Sequence, residues 1–153
     1  MKKTLDEKYM EIALKEAQKA VILDEVPVGA VIVKDGKILA KGHNLREKSN
    51  DPTSHAEINA IRKACKKLNS WRLEGATIYV TVEPCSMCAG TILQSRISRL
   101  VYGTTDPKGG AIESSLEVFK AKNINHHPEI LGGVLKEKCS SIITNYFKSK
   151  RDK

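Results

Sequence analysis

The chain has 153 residues, of which 41% are hydrophobic and 29% charged, a balance typical of one globular domain with a buried core. No stretch approaches the roughly 20 apolar residues that cross a bilayer, and acidic residues between Asp6 and Glu11 interrupt any export signal. We therefore expect a cytoplasmic protein without a membrane segment. The formal net charge is +8, which favours a polyanionic partner such as RNA, although excess lysine also keeps a surface solvated.

Apolar residues recur along the chain with periods that alternate between helix and strand. Asp35-Gly36 lies between two short apolar runs and predicts a tight hairpin turn. The expected helices cover about 5–23, 55–68, 85–95, 114–121 and 135–147, and the expected strands cover 28–33, 38–40, 76–82, 100–103 and 130–134. This alternation predicts an α/β layered fold, and we expect residues 1–153 to form a single domain with a short basic C-terminal tail.

Two short motifs form a split metal signature. The first is His55-Ala56-Glu57, and the second is Pro84-Cys85-Ser86-Met87-Cys88. Two cysteines three positions apart can bind one zinc ion as thiolates, and a histidine from elsewhere can supply a third ligand. Three protein ligands leave the fourth tetrahedral position to water, as in catalytic zinc sites. We therefore expect Zn²⁺ to be bound by His55, Cys85 and Cys88.

Both motifs lie at predicted helix starts, where free backbone N–H groups favour thiolate over thiol. Zinc lowers the pKa of a bound water from about 15.7 to about 7, and the resulting hydroxide can attack a ring carbon that bears an amino group. Glu57 is poorly spaced to be a ligand, because residues two apart on a helix point in different directions. We expect Glu57 to carry a proton from the water to the ring nitrogen and to help ammonia leave. The predicted reaction is hydrolytic deamination.

A zinc site that only stabilises the fold is the alternative, and such sites usually have four protein ligands. Five further residues could supply a fourth ligand, although none has suggestive spacing: His43, Cys65, His126, His127 and Cys139. A redox Cys-x-x-Cys is a weaker alternative, because it leaves His55 and Glu57 without a role. We otherwise interpret Cys65 and Cys139 as buried small apolar residues, and Glu83 as a charge at a helix N-terminus.

The chain resembles the bacterial tRNA-specific adenosine deaminases over nearly its full length. The resemblance rests on Glu25-Val26-Pro27-Val28-Gly29-Ala30, His43-Asn44, His55-Ala56-Glu57, Thr81-Val82-Glu83-Pro84-Cys85, Met87-Cys88-Ala89-Gly90 and Asn125-His126. Cytidine, cytosine and guanine deaminases share the zinc signature, whereas the flanking stretches favour the tRNA enzymes. The resemblance implies a cytidine deaminase-like three-layer α/β/α sandwich with a five-stranded mixed sheet. It also implies a homodimer with one zinc per subunit, which converts the wobble adenosine of a tRNA anticodon loop to inosine by attack at C6.

The resemblance further implies roles for individual residues. His55, Cys85 and Cys88 match the zinc ligands, and Glu57 matches the proton shuttle. The substrate-binding positions are Val28 and Ala56 as pocket walls, Asn44 as a partner of the flipped purine, Asn125 at the pocket mouth, and Asp106 and Lys108 in a loop near the sugar and phosphates. We expect Asp106 to accept a hydrogen bond from a ribose 2′-OH. Without the resemblance, simpler interpretations apply: turn residues for Asn44 and Asp106, core for Val28, and solvated loop for Asn125.

The sequence leaves three points open. Glu113-Ser114 replaces a Gly-Ser that is frequent in the family, so the loop conformation near the RNA is undecided. The tail residues Lys148, Lys150, Arg151 and Lys153 either follow a phosphate backbone or form a frayed helix end. Two rival functions are a deaminase of free guanine or cytosine, and a zinc-stapled RNA-binding protein without turnover.

Overall fold

The computed structural model describes residues 2–152, so Lys153 of the predicted basic tail lies outside the described part. The helices within that part are α1 (Leu5–Ile22), α2 (Arg46–Ser49), α3 (Ala56–Leu68), α4 (Ser86–Gln94) and α5 (Lys136–Arg151). The strands are β1 (Gly29–Lys34), β2 (Lys37–His43), β3 (Thr77–Val82), β4 (Arg99–Thr104) and β5 (Glu129–Leu131). None of these helices is both long and apolar enough to cross a membrane.

The five strands form one mixed sheet in the order β2-β1-β3-β4-β5. β1 is antiparallel to β2 and to β3, whereas β3, β4 and β5 are parallel. The β1–β2 hairpin turns at Asp35 and Gly36, which both have positive φ (52° and 74°), the combination that a tight primed turn requires. Because β3 and β4 are parallel, they need a crossover connection, and α4 supplies it.

Helices cover both faces of the sheet, because successive side chains of each strand point to opposite faces. Ala30 and Ile32 of β1 pack into the core shared with α3 and α4, whereas Val31 and Val33 pack into the core shared with α1 and α5. The layers are therefore α/β/α. The predicted fold class, a three-layer sandwich around a five-stranded mixed sheet, is confirmed.

A glycine brings the start of α3 against the sheet. A Cβ on Gly42, near the end of β2, would lie 2.5 Å from the carbonyl oxygen of Ala56 and 2.7 Å from the backbone nitrogen of Ala60. Only a residue without a side chain therefore allows this approach. The contact matters for the site because His55 is the N-cap of the same helix.

The prediction of a helix over 114–121 was wrong. Only a short 3₁₀ turn over Val118–Lys120 forms there. The N–H of Val118, which a helix would direct to the carbonyl oxygen of Ser114, donates instead to that of Ala111, so the helix does not form. The short helix α2 and the extension of β2 to His43 were not predicted.

The basic tail is ordered as the last turn of α5. Lys150 lies 2.9 Å from a carboxylate oxygen of Asp24, and the Tyr146 hydroxyl donates to the carbonyl oxygen of Asp24 over 3.2 Å. The tail up to Arg151 is thus a solvent-exposed helix end that remains helical rather than frayed. Cys139, on the buried side of α5, is fully enclosed as predicted, whereas Cys65 is only partly buried.

Candidate active site

The two halves of the metal signature meet where α3 and α4 begin, on the same face of the sheet. His55 is the N-cap of α3 and Cys85 is the N-cap of α4, while Cys88 lies in the first turn of α4. Both cysteine sulfurs lie 3.6 Å from Nδ1 of His55. The potential ligand atoms of the three residues all lie within 4.8 Å of one another.

This spacing suits a tetrahedral zinc ion. With Zn–S bonds of about 2.3 Å and Zn–N bonds of about 2.0–2.1 Å, a tetrahedral angle sets sulfur and nitrogen about 3.6 Å apart. The observed 3.6 Å distances match that separation. Two soft sulfur donors and one imidazole are also a donor set that zinc prefers.

A fourth protein ligand is not part of this group among residues 2–152. Nδ1 of His43 contacts a carboxylate oxygen of Glu16 at 3.1 Å, and Nε2 of His126 lies 2.6 Å from the carbonyl oxygen of Ile97. Cys139 packs in the core on the other face of the sheet. The closed four-ligand arrangement that defines a purely structural zinc site is therefore not seen in the described chain.

Hydrogen bonds among the three candidate ligands shift their pKa values. A hydrogen bond from the Cys88 thiol lowers the pKa of Cys85 well below its ordinary value, and the His55 ring acts in the same direction. The same hydrogen bond, together with burial, raises the pKa of Cys88. Hydrogen bonding to Cys85 raises the pKa of His55. Cys85 therefore forms a thiolate readily, whereas Cys88 and His55 hold their protons more tightly; zinc binding would displace these protons, because it needs two thiolates and a neutral imidazole.

Glu57 lies beside the three candidate ligands in a nearly closed environment. Its exposed fraction is 4%, and burial raises its pKa to about 7. A carboxyl group with a pKa near neutrality can both accept and release a proton at physiological pH. The environment of Glu57 therefore suits proton transfer.

A cavity of about 210 Å³ adjoins these groups. Its lining residues come from five segments of the chain: Val26, Val28, Asn44, Arg46, His55, Glu57, Val82, Glu83, Cys85 and Asp106. The volume is below the roughly 300–1,000 Å³ of pockets for drug-sized ligands, so the cavity suits one compact ring. The cavity wall is thus partly polar and partly apolar: Asn44, Arg46 and Asp106 supply polar groups, and three valines supply apolar surface.

Comparison with known proteins identifies the family. The family model of MafB19-like deaminases matches residues 5–151 of this chain. The chain is also 47% identical over 150 residues to the tRNA-specific adenosine deaminase of Bacillus subtilis (strain 168), a match that covers 98% of this chain and 93% of that protein. The chain belongs to the tRNA-specific adenosine deaminase family. The resemblance noted in the sequence is thereby confirmed.

Solved structures of deaminases share the fold of this family member. A structure from a study of A-to-I editing by tRNA:A34 deaminases superimposes with a TM-score of 0.86 at 47% identity, covering 88% of this chain and 98% of that one. Guanine deaminase from Bacillus subtilis superimposes with a TM-score of 0.63 at 33% identity, covering 96% and 94% of the two chains. The fold alone thus accommodates different purine substrates, and substrate choice depends on the cavity and its surroundings.

Of the three residues expected at the base, Asn44 and Val28 of this deaminase line the cavity, whereas Ala56 does not. Asn44 is 7% exposed and lines the cavity; its Nδ2 donates to the carbonyl oxygen of Val26, and its Oδ1 accepts from the N–H of Arg46. Val28 also lines the cavity. Ala56 is fully buried, and its side chain packs into the core beneath the helix start.

Asp106 and Lys108 lie on a loop that joins the cavity to a wider groove. The groove has a volume of about 670 Å³ and shares Val26, Val28, Val82 and Asp106 with the cavity. Lys108 lines the groove, as does Phe147 of α5. A substrate larger than one ring can therefore extend from the cavity along this groove.

Asn125 does not line the cavity of its own chain. It is exposed and precedes His126, which contacts the carbonyl oxygen of Ile97 before the first residue of β4. The cavity lies beyond the opposite ends of β3 and β4, and a strand of this length spans about 20 Å. The expected place of Asn125 at the pocket mouth is thus not found within a single chain.

Arg46 and Glu83 line the cavity but received no site role from sequence reasoning. Arg46 is the first residue of helix α2, which was not predicted. It follows Asn44 by two positions, and this closeness to a motif residue is the signal that could have identified it as a cavity residue. Glu83 does not act as a charge for α4: its carboxylate accepts hydrogen bonds from the loop that contains Asp106. That loop is distant in sequence, so only the tertiary structure reveals the contact.

Proposed function

We propose that this chain deaminates the wobble adenosine of a tRNA anticodon loop to inosine, with one zinc ion per subunit held by His55, Cys85 and Cys88. The observation that carries the proposal is the convergence of these three donors beside buried Glu57, at a cavity for one ring, in a member of this family. The enzyme is thus a hydrolase that acts on a cyclic amidine.

The proposed reaction consumes water and releases ammonia. Zinc, when bound, supplies a Lewis acid that lowers the pKa of water and makes it nucleophilic near neutral pH. Glu57 accepts a proton from the attacking water and delivers it to N1 of adenine as the oxygen bonds to C6. Glu57 then passes the second water proton to the amino group, the C6–N6 bond breaks, and ammonia leaves. Burial raises the pKa of Glu57 to about 7, which supports its role in both transfers.

Base recognition is assigned to the cavity wall. An asparagine side chain can make four hydrogen bonds, of which Asn44 uses two, one to Val26 and one from Arg46. One N–H and one lone pair thus remain to bind the purine. We propose that Val28 packs against the ring, and that Ala56, as the first residue of α3, offers a backbone N–H without an intrahelical partner.

The groove beside the cavity and the positive charge of the protein are proposed to bind the RNA that flanks the target base. A base in an anticodon loop is unpaired, so turning it outward into the cavity costs less than extraction from a duplex. We propose that Lys108 binds a phosphate and that Asp106 accepts a hydrogen bond from a ribose 2′-OH. The net charge of +8 would attract the anticodon stem-loop at long range.

We also propose that the enzyme is a homodimer. Asn125 does not line the cavity of its own chain, and its neighbour His126 contacts Ile97 before the start of β4, so a role at the pocket mouth requires that it come from the partner subunit. Exposed apolar residues such as Trp71, which is 58% exposed, offer surface for such an interface. Light scattering coupled to size-exclusion chromatography measures the assembly directly.

The remaining assignments concern the whole chain. We propose that residues 1–153 form one zinc-dependent deaminase domain with a short basic C-terminal tail. A cytoplasmic location is proposed because all four cysteines are free thiols, which a reducing compartment maintains.

Incubation with an anticodon stem-loop that carries adenosine at the wobble position tests the function. We expect inosine and ammonia in equal amounts, measured by nucleoside mass spectrometry and an ammonia assay. The matched control is the same stem-loop with guanosine at that position, which should release no ammonia. Zinc content, measured on the same protein sample, should be one ion per subunit.

Two outcomes would replace the proposal. Ammonia from free guanine or cytosine, with no inosine from the stem-loop, would identify a free-base deaminase. Tight binding of the stem-loop by zinc-loaded protein, without ammonia from any base, would identify an RNA-binding protein without turnover.

A further inference from the structure

We infer that Glu83 is a positioning residue for the RNA substrate: its carboxylate holds the loop over residues 106–114, and this loop presents Asp106 at the cavity and Lys108 in the adjoining groove. The inference rests on the proposed function, because it gives the loop its substrate. Glu83 itself lies at the end of β3, two residues before Cys85.

One buried carboxylate accepts five hydrogen bonds from this loop. Oε1 of Glu83 accepts from the N–H of Asp106 at 3.1 Å and from the Ser114 hydroxyl at 2.5 Å. Oε2 accepts from the N–H groups of Ile112, Glu113 and Ser114 at 2.8–3.0 Å. The exposed fraction of Glu83 is 3%, so its carboxylate is largely shielded from water, and the bond from Ile112 is fully buried. Buried N–H groups outside helices and strands need such partners, and Glu83 supplies them for both ends of the loop.

The loop is shaped to admit this carboxylate. A Cβ on Gly110 would overlap the carboxylate of Glu83, so the absence of a side chain at this position allows the close approach. The N–H of Gly110 donates to the carbonyl oxygen of Asp106 over 2.9 Å, which closes a turn around the acid. The backbone thus wraps around Glu83 on several sides.

Glu113 provides a second anchor at the far end of the loop. Its carboxylate accepts a hydrogen bond of 2.5 Å from the hydroxyl of Tyr102, a residue of β4 with an exposed fraction of 3%. The side chain of Glu113 therefore points to β4 while its N–H stays on Glu83. Glu113, which stands where the family frequently has glycine, therefore keeps its backbone bond to Glu83 and adds a side-chain hydrogen bond to the sheet.

The anchored backbone fixes the groups that would meet RNA. The N–H of Asp106 is bound by Glu83, and Oδ1 of Asp106 accepts from the N–H groups of Lys108 and Gly109 at 3.1 and 3.2 Å. Asp106 borders both the cavity and the groove, whereas Lys108 borders the groove. A loop that is ordered before binding does not lose that conformational entropy when RNA arrives, so Glu83 should act on substrate binding.

The test is Glu83→Gln in the full-length, zinc-loaded enzyme. The amide keeps the volume but turns an NH₂ group toward N–H donors, so the loop loses hydrogen bonds to a charged acceptor. We expect KM for the anticodon stem-loop to rise by roughly tenfold or more, while kcat changes by less than about threefold and zinc stays at one per subunit. Hydrogen exchange should show lost protection at the amides of residues 112–114, with or without RNA.

Three further variants distinguish an effect on the loop from a general loss of structure. Gly110→Ala should reproduce the KM effect, because its methyl group displaces the Glu83 carboxylate. Ser114→Ala removes only the hydroxyl donor and should give a smaller rise in KM. The matched control is Asp6→Asn, which alters a carboxylate bound by Arg99 and Tyr79 near the opposite end of the sheet. It should leave KM unchanged.

Several results would overturn the inference. One is a Glu83→Gln enzyme with unchanged KM and unchanged amide exchange. Another is loss of zinc with a collapse of kcat at constant KM, which would assign Glu83 to support of the cysteines. Failure of the proposed function is distinguishable, because the wild-type enzyme would then produce no inosine while the exchange measurement still reports on the loop.

Discussion

Two buried glutamates border the same cavity with opposite titration behaviour. Burial raises the pKa of Glu57 to about 7. Burial also acts to raise the pKa of Glu83, but hydrogen bonds from the Glu113 and Asp106 N–H groups and from Ser114 outweigh it and lower the pKa below its ordinary value. Glu57 can therefore exchange a proton near neutral pH, whereas Glu83 remains a fixed anion that binds backbone N–H groups.

At the residue scale, we predict that Glu57→Gln abolishes turnover without loss of binding. The amide has nearly the same volume but cannot carry a proton, so kcat should fall by about 10²–10⁴-fold. Zinc content and stem-loop affinity should stay near wild type, because Glu57 lies outside the three-residue ligand group. Single-turnover inosine formation, metal analysis and fluorescence anisotropy measure the three quantities.

A surface glutamate provides the control for that experiment. Glu117→Gln changes a side chain that is 49% exposed and pairs with Lys120, so it should leave kcat unchanged. A Glu57→Gln enzyme that retains wild-type kcat would show that another group moves the protons.

At the scale of elements, two helix starts create the site. Cys85 and Cys88 reach it because α4 is the crossover between parallel β3 and β4 and begins at the ends of these strands. His55 reaches it because α3 packs on the same face, with its first turn against Gly42. The metal donors are therefore positioned by helix–sheet packing rather than by one continuous segment.

We predict that Gly42→Ala destabilises the protein and weakens zinc binding. The added methyl group would collide with the backbone of Ala56 and Ala60, so α3 must shift together with His55. Overpacking of this kind typically costs about 1–3 kcal/mol of unfolding free energy. Urea denaturation of the zinc-loaded protein and competition with a zinc-binding dye measure the two effects.

Gly90→Ala is the matched control for that change. A Cβ at Gly90 would have no atom of another segment within 4 Å, and Gly90 lies inside helix α4. Because alanine favours helix over glycine, the control should be as stable as wild type or more stable by about 0.5–1 kcal/mol. Equal stability of the Gly42→Ala and Gly90→Ala proteins would contradict the proposed close packing of α3.

At the scale of the whole molecule, charge and packing have separate roles. The net charge of +8 acts at a distance on any polyanion, whereas the two cores on either face of the sheet hold the site in place. The charges of the last turn of α5 are not equivalent. Lys148, Lys150 and Arg151 are all exposed, and Lys150 is paired with Asp24.

We predict that replacing Lys148 and Arg151 together with Gln reduces the salt dependence of RNA binding. If each side chain contacts one phosphate, the slope of log affinity against log salt should shrink by about 0.7–0.9 per residue. The matched control replaces Lys8 and Lys15, two exposed lysines of α1, and removes the same charge. Anisotropy titrations at several salt concentrations give the slopes; equal changes in both variants would exclude direct phosphate contacts by α5.

Local sequence patterns were sufficient for most elements but not for the segment after β4. The periodic apolar residues of α1, α3 and α5 and the Asp35-Gly36 turn are local signals, and the corresponding elements formed within a few residues of the expected bounds. The stretch over 114–121 has helical periodicity as well, yet it forms a loop. The N–H of Val118 donates to the carbonyl oxygen of Ala111 instead of that of Ser114, and Glu83, some thirty residues earlier, holds the N–H groups of residues 112–114; no local pattern encodes these contacts.

The sequence by itself indicated the donor set, the acid beside it and a layered α/β fold, because these depend on residue types at short spacing and on hydrophobic period, and it indicated the family through the resemblance of its motifs. Tertiary structure decided which distant groups share the cavity: Arg46 and Glu83 were brought in, and Asn125 was set at the other end of the sheet. The physical reason is that burial, pKa and hydrogen-bond partners arise from contacts between segments, which strand order and helix packing create.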